Sequence, residues 1–475
     1  MDNKITTIKV VDAPTGEGKT TALINHLETA YNNPFTAPLE GGERFIVMVP
    51  LVTECERIYN ALKEGGIDVY MATIEGRKNR DTLDAIERGE NIITTHRFYE
   101  METNELFKTL KESSTKGKYS YSLFIDEEPA IEIDIKDSPL VNLPSLTPSD
   151  IEEMKERNII AIDSDSNRIH WTAPEDLSVI YRHYKNFFTG YTVYLSKEAY
   201  QGGKENPFII LMNPELWSMF ESVTVLSYRV RYSLFHAYCE LFQFPIEYYH
   251  IDRNPITNDS LFKEGYIDKK PKGYKRLNIC KEYLLKTFDR EYKEIPSKGL
   301  SYSWYTNKAK PKQLKKIKSY MDKCIREYSC SSILWTSFKD NMEALKIPKH
   351  GISVTNWTAC NTRATNDYSN RTNVIYPINR YMNPFKASFW KAQGIVIDTD
   401  NWALNELIQF LWRSNLRVAD SSDTVYVYIP SDRMRGLLEA WINNNIQCTC
   451  QQKLDTKLKK SGIKNESMYK IHQLF

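Results

Sequence analysis

Short runs of apolar, often β-branched residues alternate with longer amphipathic segments along this chain. In the first half, the apolar runs predict strands at 5–11, 45–49, 91–95, 122–125 and 222–226. In the second half, similar runs predict strands at 332–336, 373–376, 394–397 and 424–429. Several of the intervening segments are helix-like, for example Glu54 to Glu64. Because short apolar strands that alternate with helices form parallel sheets covered on both faces, the pattern predicts two α/β domains.

Two segments interrupt the alternation of strands and helices. Residues 130–215 mix polar and aromatic segments, which predicts an insertion within the first domain. Residues 252–276 contain Asp-Arg-Asn-Pro at the start and Lys-Pro-Lys-Gly near the end, which indicates a connection between domains. We therefore expect a first domain over 1–251, a linker over 252–276, and a second domain over 277–475 with a basic C-terminal tail.

Composition and charge set only loose limits on function. Hydrophobic residues make up 41% and charged residues 26%, and no apolar run approaches the roughly 20 residues that cross a bilayer. The eight cysteines and eight histidines lack metal-ligand spacing, so we expect reduced structural thiols and a cytoplasmic protein without a signal peptide or membrane partner. The net charge of +2 neither requires nor excludes a polyanionic partner.

Basic residues and tryptophans give weaker signals. Lysines and arginines cluster at 269–276, 308–318 and 453–464, where each cluster would bind nucleic-acid phosphates or form a solvated face. The tryptophans would serve as core residues or as platforms for base stacking, and core packing is the more common use of tryptophan.

Residues 13–21 have the sequence Ala-Pro-Thr-Gly-Glu-Gly-Lys-Thr-Thr, between a predicted strand and a predicted helix. Backbone N–H groups in such a turn bind phosphates, and the helix N-terminus adds partial positive charge. Lys19 would reach the β- and γ-phosphates, and the Thr20 hydroxyl would bind Mg²⁺. The predicted nucleotide-binding residues are Thr15, Gly16, Glu17, Gly18, Lys19, Thr20 and Thr21. We therefore expect ATP and Mg²⁺ as ligands.

An acidic pair, Asp126-Glu127, follows the strand predicted at 122–125. In enzymes with a phosphate-binding loop, an aspartate at this position holds Mg²⁺ and a neighbouring glutamate polarises the attacking water. Asp126 is therefore assigned to the metal together with Thr20, and Glu127 to catalysis. Glu128 is the alternative catalytic glutamate.

The loop at 13–21 and the Asp-Glu-Glu-Pro sequence at 126–129 resemble motifs I and II of superfamily 2 helicases, the DEAD/DEAH-like group. Residues 49–51 are similar to motif Ia, and residues 93–96 to motif Ic. The resemblance implies that Thr95 contacts a nucleic-acid backbone. Ser227 occupies the place of the motif III serine, which implies a role in coupling.

The likeness continues in the second domain, where residues 333–339, 361–366 and 409–417 resemble motifs IV, V and VI in the expected order. It implies that Arg363 and Thr365 contact nucleic acid. It also implies that Gln409, Arg413 and Arg417 complete the catalytic site, with Arg413 as the first candidate for an arginine finger. Trp412 replaces the usual glycine of motif VI, and the second arginine falls one residue late.

Together, the motifs resemble a divergent branch of this group that is often found in phages and mobile elements. The resemblance implies two RecA-like domains with ATP at their interface, and a helicase or translocase that acts in phage or mobile-element replication or recombination. The expected partner is DNA, single-stranded or at a duplex junction, with RNA left open. A terminase-like DNA-packaging motor and a non-motor NTPase are the alternatives. A terminase would need a carboxylate-rich nuclease domain, and a non-motor NTPase would need only one domain.

Overall fold

The computed structural model describes residues 6–32, 43–72, 78–101, 103–115, 119–173, 179–254, 256–257, 259–280, 298–309, 311–327, 332–361 and 367–444. The strands are β1 Ile8–Asp12, β2 Glu43–Val49, β3 Ile92–Thr95, β4 Ser120–Asp126, β5 Ile160–Ile162, β6 Arg168–Trp171, β7 Tyr191–Leu195, β8 Phe208–Met212, β9 Ser222–Ser227, β10 Ile246–Arg253, β11 Ser260–Glu264, β12 Leu277–Ile279, β13 Ile333–Trp335, β14 Asn373–Ile375 and β15 Val425–Tyr428. The α-helices are α1 Lys19–Asn32, α2 Val52–Glu64, α3 Lys78–Glu87, α4 His96–Met101, α5 Thr103–Thr115, α6 Pro148–Glu156, α7 Val179–Gly190, α8 Lys197–Gln201, α9 Leu234–Leu241, α10 Tyr302–Asn307, α11 Pro311–Glu327, α12 Met342–Leu345, α13 Pro384–Ala392, α14 Thr399–Leu411 and α15 Asp432–Ile442.

The first sheet has seven strands in the order β11-β10-β1-β9-β4-β2-β3. All neighbouring strands in it are parallel except β11, which is antiparallel to β10. In this register Asp12 is paired with Ser227, and Asp126 with Leu226. Parallel strands end at the same edge of a sheet, so the phosphate loop, the acidic pair and Ser227 are neighbours by topology.

Helices cover both faces of the first sheet. Successive residues of a strand point to opposite faces, so Val10 packs in one core with Phe235 of α9, while Val11 packs in another core with Leu23 of α1. Ile58 of α2 joins the core that contains Leu23. Burial on both faces explains why these strands are continuous apolar runs in the sequence.

A separate four-stranded antiparallel sheet, in the order β5-β6-β7-β8, lies within the segment predicted to be an insertion. It has its own core, in which Ile151 and Met154 of α6 and Phe187 of α7 pack on Val193 of β7. Thr147 begins α6 with a reciprocal capping box, because its hydroxyl accepts the Asp150 N–H while Asp150 accepts the Thr147 N–H.

The second parallel sheet contains β12-β15-β14-β13 in that order. Its core takes Leu407 and Ile408 from α14, Leu438 from α15 and Met321 from α11. Two parallel sheets flanked by helices confirm the predicted fold class of two RecA-like domains. No helix within the described residues is long and apolar enough to span a bilayer.

Helix α13 crosses from one sheet system to the other. It follows β14 of the second sheet in the chain, but Phe389 and Trp390 are buried in the core of the first sheet. Trp390 is fully buried, and its indole N–H donates a hydrogen bond of 2.9 Å to Oε1 of Glu132. Lys386 forms an ion pair with the same carboxylate group. The two halves of the chain are therefore packed together through α13.

The strand prediction at 394–397 is wrong. Gly394 has φ +82° and ends α13, with its N–H bonded to the Lys391 carbonyl. Ile395 then bonds back to the Trp390 carbonyl, and Val396 is 74% exposed. This apolar segment is a helix C-terminal cap rather than a strand.

The other predicted strands overlap observed ones, whereas the predicted domain boundaries remain a prediction. Within the predicted linker 252–276, the end of β10 and all of β11 belong to a hairpin on the edge of the first sheet. The basic tail lies outside the described residues.

Candidate nucleotide-hydrolysis site

The phosphate loop leaves β1 at Asp12 and enters α1 at Lys19. Gly16 and Gly18 both have φ +84°, a left-handed conformation that side chains with a Cβ rarely adopt. A Cβ on Gly16 would lie 3.7 Å from the carbonyl oxygen of Arg417, so this part of the loop faces the second domain closely. The two glycines therefore serve the turn, and the neighbouring Arg417 carbonyl is at ordinary contact distance.

The Lys19 ammonium group lies under the loop. Its Nζ donates hydrogen bonds to the carbonyls of Ala13 at 2.8 Å and Pro14 at 3.2 Å. Burial lowers the pKa of Lys19, while the nearby carboxylates of Asp126 and Glu127 raise it. A cation held between a phosphate-binding turn and an acidic pair is placed to neutralise phosphate oxygens.

The two predicted metal ligands are in contact. Thr20 Oγ1 donates a hydrogen bond of 2.7 Å to Oδ2 of Asp126. Burial raises the pKa of Asp126, and the Thr20 hydrogen bond and the Lys19 charge oppose this shift. The described residues contain no group of three or more His, Cys, Asp or Glu side chains that would hold a metal. A hydroxyl beside one carboxylate fits Mg²⁺, which takes its remaining ligands from water and phosphate oxygens.

The backbone turns sharply immediately after β4. Glu127 has φ +66°, and its N–H donates to the Leu226 carbonyl at 2.8 Å. The His96 ring nitrogen Nε2 is 2.9 Å from the carbonyl oxygen of Asp126, which holds the same turn from the other side. Non-glycine residues in this conformation cluster at functional sites, where the surrounding structure maintains the strain.

Glu128 has different neighbours from Glu127. Glu128 is buried, and its Oε1 accepts a hydrogen bond of 3.2 Å from the Ser227 hydroxyl. It also lines a cleft of about 370 Å³ between the domains, together with Gln409 and Glu406. The proposed coupling residue Ser227 thus contacts Glu128.

Arg413 and Arg417, just after α14, interact electrostatically with Glu127 and Lys19 of the first domain, respectively. Arg413 is 4% exposed and donates to the Ala359 carbonyl at 3.0 Å. Burial lowers the pKa of Arg413 to about 10, and the largest opposing influence is the Glu127 carboxylate. The Arg417 charge lowers the pKa of Lys19. The structure therefore places both predicted arginines near residues of the first domain.

Sequence reasoning missed two contacts that support the loop. The Asp12 carboxylate accepts backbone N–H groups from Arg229 at 2.8 Å and Val230 at 3.0 Å. Glu17 forms an ion pair of 2.8 Å with Lys269 of the predicted linker. An aspartate at the end of β1 was the available signal for the first contact, whereas nothing local indicates the second.

The predicted nucleic-acid contacts are described only in part. Thr95 ends β3 at the sheet edge that also carries the acidic pair, and its side chain is half-buried. Arg363 and Thr365 lie outside the described residues. The basic run at 308–318 falls mostly on α11, where Lys312 and Lys315 are exposed. Trp335, Trp390 and Trp412 are fully buried, as the core interpretation expects.

Comparison of the chain with known protein families gives two matches. Residues 5–128, which hold the phosphate loop and the acidic pair, match the family model "DEAD/DEAH box helicase". This match confirms the resemblance to the DEAD/DEAH-like group that the motifs predicted. Residues 272–442 match a second family model, the YonV C-terminal Rossmann-like domain.

One curated relative covers almost the whole chain. The SPbeta prophage-derived uncharacterized protein YonV of Bacillus subtilis (strain 168) is 26% identical over 446 residues, which is 92% of this chain and 99% of that protein. Among solved structures, the helicase domain of Pyrococcus furiosus Hef aligns with 94% of this chain and 96% of its own, at 9% identity and a TM-score of 0.28. A TM-score this low carries no conclusion about function.

Proposed function

We propose that this protein is an ATP-dependent helicase or translocase that couples ATP hydrolysis to movement along nucleic acid. The DEAD/DEAH box helicase match over residues 5–128 supports a helicase-like ATPase. The contact between Thr20 and Asp126 supports a magnesium-dependent hydrolytic step. The prophage origin of the relative supports a role in phage or mobile-element DNA replication or recombination, in the cytoplasm of the host.

The observation that carries the proposal is the electrostatic interaction of Arg413 with Glu127 across the two domains. Arg413 follows α14 of the second sheet system, and Glu127 follows β4 of the first. A non-motor NTPase that uses one domain has no need of an arginine from a second. An arginine supplied within the same chain would stabilise charge on the transferred phosphoryl group, a contribution of about 10³ or more in rate.

Each residue of the site has a proposed role. Lys19 binds the β- and γ-phosphates, and Glu127 orients and deprotonates the attacking water. Thr20 and Asp126 would hold Mg²⁺, which would supply positive charge to stabilise the negative charge that develops during hydrolysis. Arg417, whose charge acts on Lys19, is the second phosphate-facing arginine.

The proposed partner is DNA, with Thr95, Arg363 and Thr365 as backbone contacts. The proposed domains are 1–251, with an insertion at 130–215, and 277–475, joined by 252–276. Closure of the two domains on ATP and reopening after hydrolysis would shift the two backbone-binding surfaces relative to each other. Ser227, whose hydroxyl donates to Glu128, is the proposed coupling residue, and Gln409, which lines the same cleft as Glu128, is a proposed catalytic residue.

Turnover should be measured for the full chain with single-stranded DNA, duplex DNA, RNA and no nucleic acid. We expect stimulation by DNA, because a bound strand favours the closed arrangement in which Arg413 reaches the phosphate. ATP turnover that no nucleic acid changes would support a non-motor NTPase. Stimulation by RNA alone would support a motor that moves along RNA instead of DNA.

A further inference from the structure

A second cavity, of about 520 Å³, is distinct from the Glu128 cleft and is lined by residues from both halves of the chain. Arg229 and Tyr232 line it from the first domain, residues 268–270 and Tyr274 from the linker, and Asn401 and Trp441 from the second domain. Its volume is in the usual range for small-molecule sites. None of the hydrolytic residues lines it.

The cavity is on a different face of the first sheet from the phosphate loop. Arg229 and Tyr232 belong to the segment that leads from β9 into α9, whose side chains pack in the core that contains Val10. The loop leads into α1, whose side chains pack in the core that contains Val11. The two sites are nevertheless neighbours, because Lys269 of the cavity lining forms an ion pair of 2.8 Å with Glu17 of the loop.

Arg229 is the unusual group in this cavity. It is 3% exposed, yet its side chain donates to the neutral amide oxygen of Asn401 at 2.6 Å, and its Nε has no hydrogen-bond partner. The carboxylate of Asp12 acts on Arg229 electrostatically, but its two oxygens accept backbone N–H groups. A buried guanidinium group with a free N–H donor is suited to bind an anion.

Lys270 provides a second cation, which is half-buried. Its Nζ donates to the Ile442 carbonyl and lies 5.1 Å from the ring centre of Tyr274 and 5.7 Å from that of Trp441. Burial lowers the pKa of Lys270, and Asp268 opposes the shift. Asp268 is the only carboxylate among the described residues that line the cavity, against Arg229, Lys270 and Lys269, of which Lys269 is ion-paired with Glu17 of the loop.

Aromatic rings accompany the cations. The Arg229 guanidinium carbon is 4.6 Å from the centre of the Tyr232 ring, while the Tyr274 and Trp441 rings lie near Lys270. A buried arginine and a half-buried lysine beside aromatic rings match a phosphate group joined to a base, because the cations bind the phosphate and the rings stack on the base.

We propose that this cavity is a second binding site for a nucleoside monophosphate unit, either free or at the 5′ end of a strand. Arg229 and Lys270 bind its phosphate, and the aromatic rings bind its base. The proposal does not rest on the proposed hydrolytic activity, because no residue that lines the cavity belongs to the phosphate loop or the acidic pair.

Binding should be measured by calorimetry on the full chain carrying Lys19→Ala, which removes phosphate affinity from the loop. The probes are AMP, a 5′-phosphorylated thymidine dinucleotide and the same dinucleotide without the phosphate, with inorganic phosphate as competitor. We expect one site for the phosphorylated probes, displacement by phosphate, and weaker binding of the unphosphorylated probe. If the phosphorylated dinucleotide binds more tightly than AMP, the ligand is the 5′ end of a strand. If AMP binds more tightly, the ligand is a free nucleotide.

Added to Lys19→Ala, either Lys270→Gln or Arg229→Gln should weaken binding at least about tenfold, as expected for a lost charge-assisted bond to phosphate. Lys275→Gln removes an exposed charge of the same linker outside the cavity and should leave affinity unchanged. If Arg229→Gln fails to fold, Lys270→Gln decides the result. Absence of binding by both phosphorylated probes at millimolar concentration, or binding that Lys270→Gln leaves intact, overturns the proposal.

Discussion

The hydroxyl of Ser227 donates a hydrogen bond of 3.2 Å to Oε1 of Glu128, which joins the end of β9 to the turn after β4. Glu127, one residue earlier, interacts instead with the charges of Lys19 and Arg413. Two adjacent glutamates thus have different surroundings. One faces the charges of the hydrolytic site, and the other faces the cleft between the domains. We therefore expect Glu127 and Glu128 to have separate roles, which substitution of each glutamate can distinguish.

Glu127→Gln should reduce ATP turnover by about 10²-fold or more, because an amide cannot accept the proton of the attacking water. Nucleotide affinity should change little, since the Lys19 and Thr20 contacts remain. Glu128→Gln is the matched comparison and should retain most basal turnover while losing stimulation by nucleic acid. Steady-state turnover and equilibrium nucleotide binding of both variants test this assignment, and the opposite pattern would give catalysis to Glu128.

Arg413→Ala should lower turnover by about 10³-fold with only a modest change in nucleotide affinity, as expected of a group that acts mainly in the transition state. Arg88→Ala, which removes an exposed arginine paired with Glu90, is the charge-matched control. Single-turnover hydrolysis would separate the chemical step from binding. A fully active Arg413→Ala enzyme would exclude a finger from the second domain.

Nucleic-acid affinity should decrease steeply with salt, because each neutralised phosphate releases condensed counterions. The slope of log affinity against log salt should be about 0.7 per phosphate contact for a single strand. Thr95→Val should weaken binding for all sequences alike, since backbone contacts carry no base information. Fluorescence anisotropy at several salt concentrations measures both effects, and salt-independent binding would contradict a phosphate-based interface.

Trp390→Ala should destabilise the protein by about 3–5 kcal/mol, the usual cost of removing a fully buried aromatic side chain. The substitution also removes the indole donor of Glu132. Lys391→Ala, at the exposed neighbouring position of α13, should change stability by less than about 0.5 kcal/mol. Urea denaturation measures both. Equal stability of the two variants would mean that α13 is not anchored in the first core.

Because His236 is partly buried, we expect the protein to lose stability in mild acid. Burial, with help from the Arg231 charge, lowers the pKa of His236 below its usual value of 6.5. Between the folded and unfolded pKa values of His236, the unfolded state binds more protons than the folded state. The contribution of the neutral His236 side chain to stability is therefore complete above pH 6.5, and it is lost as the pH falls through the folded pKa. His236→Gln should flatten the dependence of the free energy of unfolding on pH, measured by denaturation at several pH values. His250→Gln, on β10, is the control and should leave that dependence unchanged. An unchanged slope in His236→Gln would disprove the assignment.

Features encoded by neighbouring residues were predictable from the sequence. The glycines, Lys19 and Thr20 are contiguous, and their chemistry requires that spacing, so the loop could be identified without a structure. The register of parallel strands then brings Asp126 to it. The contacts of Glu17 with Lys269 and of Arg229 with Asn401 join residues more than 150 positions apart, and no local pattern encodes them.

The error at 394–397 has a similar cause. An apolar run of four residues predicts a strand equally well whether one side chain or all of them are buried. Here Ile395 is buried and Val396 is exposed, because Gly394 turns the chain out of α13 and Asp398 caps α14. The helix cap at Gly394 was recognisable in principle, but the packing of α13 on the first sheet was not.

The position of α13 has a consequence for how the chain is made. The core of the first sheet takes Phe389, Trp390 and Ile395 from the second half of the sequence. On the ribosome, the N-terminal half therefore emerges with an apolar surface that nothing yet covers, and its last packing partners arrive more than a hundred residues later. Nascent chains that stop before residue 384 should accordingly be sensitive to protease and dependent on chaperones, while chains extended beyond residue 398 should gain resistance in one step.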